Sequence, residues 1–198
     1  MKGESEGGSK IDRSQKRYLV RGFIDGLLST LGAVIGASAA IGTSSETSAA
    51  SVILSAGVGA GIANGLSNVL AAFMGEKLVV VRRLEEVERA MLEEEALRKS
   101  RVADEIHQKI ISGGMADGLA TIGGAMVPVL PFVFVPLLAI KGTIALYSSI
   151  ILSLVSFFVL GGYIGKVSRE NVIFSGLKMA AFAGVTAIIC KLVKMALV

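Results

Sequence analysis

The sequence predicts an all-α, polytopic membrane protein with five transmembrane helices and a short cytoplasmic helical segment after the second. Three observations support this prediction. The chain of 198 residues is 53% hydrophobic and only 18% charged, whereas soluble domains carry about 25% charged residues. Apolar runs of roughly 20 residues recur along the chain, which is the length that a helix needs to cross a bilayer. Finally, the 24 glycines suit helices that pack closely in lipid.

Shifts in composition divide the chain into four parts. Residues 1–17 are polar and rich in glycine and serine, so we expect a flexible cytoplasmic N-terminus. Residues 18–75 hold the first two spans, residues 76–113 form the charged cytoplasmic segment, and residues 114–198 hold the last three spans. The apolar runs place the five spans at about 18–41, 50–74, 115–140, 144–164 and 172–193.

The third span contains Pro128, Pro131 and Pro136. Proline removes a backbone donor and bends a helix, and a membrane tolerates this only where neighbouring groups satisfy the freed carbonyls. We therefore expect a broken or bent third helix.

The charged segment contains no glycine or proline before Gly113. Apolar residues recur in it at helical spacing, as at Leu84, Val87 and Met91. This pattern indicates a charged amphipathic helix, or a helical hairpin that folds near Lys99, outside the bilayer.

Basic residues indicate the side of the membrane on which each loop lies, because lysine and arginine are enriched in cytoplasmic loops. They concentrate in the N-terminal segment, the charged segment and the loop 165–171, whereas the loop after the first span has none. This predicts a cytoplasmic N-terminus and an outside C-terminus, although Lys141, Lys191 and Lys194 oppose it. We interpret the net charge of +4 as topology and not as nucleic-acid binding. Without an N-terminal targeting signal, we expect a prokaryotic cell membrane.

A short motif occurs twice. Residues 25–33 contain Asp-Gly-Leu, then a hydroxyl residue, then Gly-Ala, and residues 117–125 contain the same order at one constant offset. Asp25 thus matches Asp117, and Ser29 matches Thr121. The repeat predicts that spans one and two are related to spans three and four as a parallel repeat, with the two aspartates at similar depth.

An acidic residue inside an apolar run predicts a functional site, because a charge in a membrane is costly. Carboxylates and neutral oxygens bind hard divalent cations, and thioethers bind softer ones. The predicted metal path consists of Asp25, Ser29, Thr30, Asn64, Asn68, Met74 and Asp117. Two structural alternatives remain open. Asp25 could pair with Arg21 one turn earlier, or the two aspartates could cap helices.

The charged segment offers a second set of candidate metal ligands. Glu88, Met91 and Glu95 share one helical face at i, i+3 and i+7, and Asp104 and His107 form an i, i+3 pair. The full predicted cytoplasmic set is Glu76, Glu85, Glu88, Met91, Glu95, Asp104 and His107. The alternative is a solvated face with ion pairs, such as Glu85 with Arg89 and Glu94 with Arg98.

Enzymatic motifs are missing from the sequence. It contains no nucleophile elbow, phosphate loop, cysteine-rich metal site or HExxH motif, and its single Cys190 cannot form an intrachain disulfide. We therefore expect a protein that is not an enzyme and holds no prosthetic group.

Three segments resemble the vacuolar iron transporter family. They are Asp25-Gly26-Leu27 followed by Thr30, the end of span two from Gly65 to Gly75-Glu76, and Gly124-Ala125 followed by Pro128 and Pro131. The resemblance covers nearly the whole chain from about residue 18. It implies a homodimeric, proton-coupled exporter of Fe(II) or Mn(II), carried as substrate. It also implies a path through the span-one aspartate, here Asp25, and a cytoplasmic metal-binding domain.

Two departures from the family pattern affect the site. The span-two methionine of the family falls at Ala72, and Met74 is the nearest substitute. The charged segment is also short, about two helices long. The sequence therefore favours a metal exporter that contacts lipid, divalent ions and protons. The alternatives are a scaffold that docks a partner through residues 76–112, and a transporter of another small cation.

Overall fold

The computed structural model describes the backbone of residues 4–91 and 101–197. It describes the side chains of residues 16–75 and 111–196, together with Leu78, Arg82 and Gln108. All regular elements in these ranges are helical. They are α1 (Glu4–Ala37), a 3-10 turn (Ser38–Ala40), α2 (Glu46–Met91), α3 (Arg101–Leu138), α4 (Gly142–Val167) and α5 (Val172–Leu197).

Each of the five helices contains a stretch that is long and apolar enough to cross a membrane, which confirms the predicted all-α, five-span fold. The stretches are Lys16–Ala40, Glu46–Gly75, Ile111–Leu138, Gly142–Val167 and Val172–Ala196.

The helices alternate in direction, as short connections require. Arg21 of α1 contacts Asp117 of α3, and Val34 lies in one apolar cluster with Val129, so α1 and α3 run parallel. In α2, Asn68 contacts Thr121 whereas Ile53 lies in that cluster with Val129, so α2 runs antiparallel to them. The parallel arrangement of α1 and α3 agrees with the expected parallel repeat.

The centre of the bundle is formed by α1 and α3. In their most apolar stretches 39% of the residues are buried, against 17% in α5, which therefore lies at the periphery. Hydrophobic burial does not drive helix association in lipid, so close packing and interhelical hydrogen bonds must hold the bundle together.

Two apolar clusters fill the space between the helices. The first lies at the end of the bundle where Glu46 begins α2, which we call the Glu46 end, and includes Phe132 and Ala145. The second joins α1, α4 and α5 through Leu27, Phe157 and Ala183. Together they fix α4 and α5 against the central pair.

We expected a broken or bent third span, and helix α3 continues through its three prolines without a break. Beside these prolines, the Ser149 hydroxyl of α4 donates to the Pro128 carbonyl over 2.5 Å, which ties α4 to α3.

The charged segment begins and ends as extensions of α2 and α3. Helix α2 runs on from the span to Met91, and α3 starts at Arg101, before its span begins at Ile111. The segment is therefore helical on both sides of residues 92–100. The predicted hairpin turn near Lys99 lies outside the described residues.

Two polar contacts tie the loops together at the Glu46 end. The Gly142 backbone N–H donates to Glu46 Oε2 over 2.7 Å, which satisfies a free donor at the start of α4. Lys194 Nζ donates to Ser38 Oγ over 2.9 Å, which joins α5 to the end of α1.

Candidate functional site

Polar side chains meet where α1, α2 and α3 touch. Asp25 is half-buried on α1. Because it follows the start of the span at Lys16 by nine residues, it lies about 14 Å along the helix from that end. The carboxylate therefore lies well inside the apolar part of the bundle.

Asn68 holds the Asp25 carboxylate in place. Its Nδ2 donates to Asp25 Oδ2 over 2.7 Å and to Thr121 Oγ1 over 2.9 Å. The Thr121 hydroxyl in turn donates to the Asp117 carbonyl over 2.8 Å. One amide group therefore links α1, α2 and α3, and it links the two aspartates of the sequence repeat through Thr121.

A second pair of polar side chains lies one helical turn further along. Asn64 Nδ2 donates to Ser29 Oγ over 3.0 Å, and Ser29 itself donates to the Gly26 carbonyl over 3.2 Å. Ser29 is exposed on the surface of the bundle. Asp25 and Ser29 of α1 thus face Asn68 and Asn64 of α2 along one seam.

Asp117 has a different environment from Asp25. Asp117 is completely buried. Its Oδ2 accepts a hydrogen bond from the Arg21 guanidinium, and its Oδ1 has no hydrogen-bond partner in the described part of the chain. Arg21 therefore pairs across the helices with Asp117 and not with Asp25 on its own helix. Both aspartates lie inside helices, so the alternative that they cap helix ends is wrong.

Thr30 and Met74 do not join the seam. Thr30 is completely buried, and its hydroxyl lacks a partner among the described residues. Met74 is 60% exposed and follows Asn68 by six residues, which turns it about 120° away around α2. Ala72, which follows Asn68 by four residues, shares the face of the two asparagines but brings no ligand atom.

The predicted cytoplasmic ligand set lies outside what the structure describes. The side chains of Glu76, Glu85, Glu88, Met91, Asp104 and His107 are not among the described ones, and Glu95 falls wholly in the gap. Among the described residues, no group of three histidine, cysteine or acidic side chains could hold a metal ion.

The comparisons with known proteins agree with this architecture. A model of the VIT (vacuolar iron transporter) family matches residues 78–194, which is more than half of the chain. The chain belongs to the VIT family. It is also 44% identical over 129 residues to MJ0645, an uncharacterized protein of Methanocaldococcus jannaschii, and the match covers 65% of each chain.

The VIT match and the polar seam concern different parts of the molecule. The matched residues include α3, and thus Asp117 and Thr121, but begin after Asp25, Ser29, Asn64 and Asn68. The seam on α1 and α2 is therefore assigned from the geometry and from the motifs noted above.

Two residues of the site were not among its predicted members. Thr121 appears in the sequence as the counterpart of Ser29 in the repeat, and this was the signal that could have placed it beside Asp25. Arg21 was considered only as a local partner of Asp25. Its contact with Asp117 had no local signal, because 96 residues separate the two.

Proposed function

We propose that this VIT protein exports a divalent transition metal ion, Fe(II) or Mn(II), from the cytoplasm in exchange for protons. The observation that carries the proposal is Asp25, a half-buried carboxylate inside a span that no cation of the described chain neutralises. Arg21, the basic residue one helical turn before it, is bonded to Asp117. A charge in this position is costly unless it binds something.

The ligand atoms at the seam suit such an ion. Asp25 supplies a carboxylate, Asn64 and Asn68 carry amide oxygens, and Ser29 supplies a hydroxyl. Carboxylate and neutral oxygen ligands suit Mn(II) and other hard divalent ions, whereas thioethers select softer ones. Since Met74 is turned away from the seam, the ligand set favours Mn(II) at least as much as Fe(II).

The charge balance supports a homodimer. Arg21, Asp25 and Asp117 together leave one net negative charge in each chain, so two copies facing each other would match one divalent ion. Ser29 is exposed, and the space around Gly36 is open to 4 Å. Small residues of this kind let a second helix approach closely and shield polar groups from lipid.

Proton exchange follows from the same carboxylate. After the metal ion has left on the outer side, Asp25 would return to the inward-facing state through a low-dielectric region. A proton bound to the carboxylate removes the cost of moving its charge. The cytoplasmic N-terminus expected from the basic residues places the Asp25 side of the bundle nearer the cytoplasm, the side from which an exporter loads.

Flux measurements on the purified full chain in proteoliposomes test this proposal. Fe(II), Mn(II), Zn(II) and Ca(II) are compared, each with and without an imposed pH gradient. We expect gradient-dependent flux of Mn(II) or Fe(II) and little flux of Ca(II). Absence of any flux from folded protein would contradict the proposal.

A scaffold function is the second candidate, and one observation favours it. Helices α2 and α3 extend beyond their spans as residues 76–91 and 101–110, which offers a helical surface outside the bilayer for a partner. The same flux experiment separates the two candidates, because a scaffold would carry no metal in liposomes that contain this chain alone.

A further inference from the structure

Arg21 has two carboxylates within reach and uses only one of them. Asp25 follows it by four residues on α1, the spacing at which opposite charges on a helix are neighbours. The guanidinium nevertheless bonds to Asp117 on α3. The choice between these partners decides whether a cation of the chain neutralises the Asp25 carboxylate.

The close contact of α1 and α3 explains the choice. A Cβ atom added to Gly22 would lie 2.2 Å from the Asp117 carbonyl oxygen and 2.8 Å from Asp117 Oδ1. The glycine thus lets the Asp117 side chain lie directly against α1, beside Arg21. Asp117 is also completely buried, whereas Asp25 is half-buried. A fully buried carboxylate loses more by being unpaired, so the pair forms there.

The hydrogen bonds beyond the ion pair also leave Asp25 without a cationic partner. Thr121 and Asn68 connect the Asp117 backbone to the Asp25 carboxylate. Asp25 therefore receives a hydrogen bond from a neutral amide and not from the Arg21 guanidinium. An amide orients the carboxylate without neutralising it, which leaves the charge for an incoming ion.

We propose that Asp117 is a positioning residue that holds Arg21 away from Asp25 and so keeps Asp25 free to bind a cation. The inference rests on the proposed function for the role of Asp25, but the ion pair itself can be tested without transport. Asp117 is on this account not a ligand of the metal ion, in contrast to the prediction from the repeat. Its removal releases Arg21 onto Asp25.

Carbodiimide labelling of Asp25 tests the inference. A hydrophobic carbodiimide reacts with protonated carboxyl groups in membranes, and mass spectrometry of the Asp25 peptide measures the yield in the reconstituted full chain. In Asp117→Asn the freed Arg21 would bond to the Asp25 carboxylate, so labelling should fall by about tenfold. In Asp117→Asn with Arg21→Gln it should return to within about twofold of the parent.

The double variant separates positioning from a purely structural role. If the ion pair only stabilised the fold, removing both partners would not restore the labelling of Asp25. Unchanged labelling in Asp117→Asn, or no recovery in the double variant, would overturn the inference. Arg21→Gln alone keeps the test decisive if Asp117→Asn does not fold. Its labelling should stay within about twofold of the parent, and a severalfold rise would show that Arg21 already neutralises Asp25.

Flux of Mn(II) through the same variants separates this inference from the proposed function. If the parent transports, we expect transport to be lost in Asp117→Asn and regained in the double variant. If the parent carries no metal but the labelling pattern holds, the proposed function fails and the positioning role stands. If the parent transports Mn(II) and the labelling of Asp25 is the same in Asp117→Asn as in the parent, only the positioning role fails.

Discussion

Asp25 and Asp117 occupy equivalent positions in a sequence repeat but differ in their surroundings. Asp117 is completely buried and paired with Arg21, whereas Asp25 is half-buried and accepts a hydrogen bond from a neutral amide. Similar sequence thus gives one compensated and one uncompensated charge, and the difference comes from which helices cover each residue.

Asn68 is the residue that we expect to set the affinity for the metal ion. In Asn68→Ala the Asp25 carboxylate loses its donor, and hydrogen bonds to charged groups contribute about 1.5–3 kcal/mol. We expect the KM for Mn(II) to rise about tenfold. The matched control is Ser55→Ala on the same helix, which removes only a contact with the Val52 carbonyl. Equal KM values for the two variants in proteoliposomes would contradict the assignment.

The contact between α1 and α3 is the most tightly packed feature at the scale of elements. A Cβ atom on Gly26 would lie 1.8 Å from the Thr121 carbonyl oxygen and 2.7 Å from its carbonyl carbon. The two helices therefore meet backbone to backbone. This contact brings Arg21 to Asp117 and aligns Thr121 with Asn68, so the site depends on it.

Gly26→Ala should destabilise the bundle, because the added methyl group must push α1 and α3 apart. Overpacking of this kind costs about 1–3 kcal/mol, and we expect the upper end since the obstacle is backbone. Thermal unfolding in detergent measures the change. Gly123→Ala is the control, since nothing lies within 4 Å of that position, and it should be neutral or stabilising by about 0.5–1 kcal/mol. Equal unfolding temperatures for the two variants would show that the contact is looser than described.

The sequence predicted the helices better than their contacts. Apolar runs are a local signal, so the spans and their number followed directly. The partner of Arg21 did not, because Asp25 satisfies the local spacing and only the approach of α1 to α3 favours Asp117. The three prolines of α3 predicted a broken or bent helix, and the structure shows no break. Met74 lies close to Asn68 in the sequence, but the step of six residues turns it to another face of α2.

At the scale of the whole molecule, the proposed homodimer rests on the distribution of charge and of open surface. One net negative charge per chain lies near the seam, and Ser29 is exposed beside it. A single chain would leave these groups facing lipid, which is costly. A second copy would cover them and would double the charge available to a divalent ion.

Gly36→Leu tests this arrangement. No described residue of another helix lies within 4 Å of a Cβ atom at this position, so the variant should fold. The larger side chain would keep a second α1 at a distance. We expect the dimer fraction in lipid nanodiscs, measured by crosslinking, to fall severalfold. The control is Gly123→Leu, a substitution at an equally open position on α3. A dimer that survives Gly36→Leu would exclude α1 as its interface.

The most direct test of the account compares Mn(II) flux through Asp25→Asn and Glu170→Gln in proteoliposomes. Both substitutions replace a carboxylate by an amide of similar shape, but Glu170 is exposed in the loop between α4 and α5. Losing a partly buried charged ligand costs about 3 kcal/mol, so flux through Asp25→Asn should fall by about a hundredfold. Flux through Glu170→Gln should match the parent. Equal flux through both variants would contradict the claim that Asp25 carries the ion.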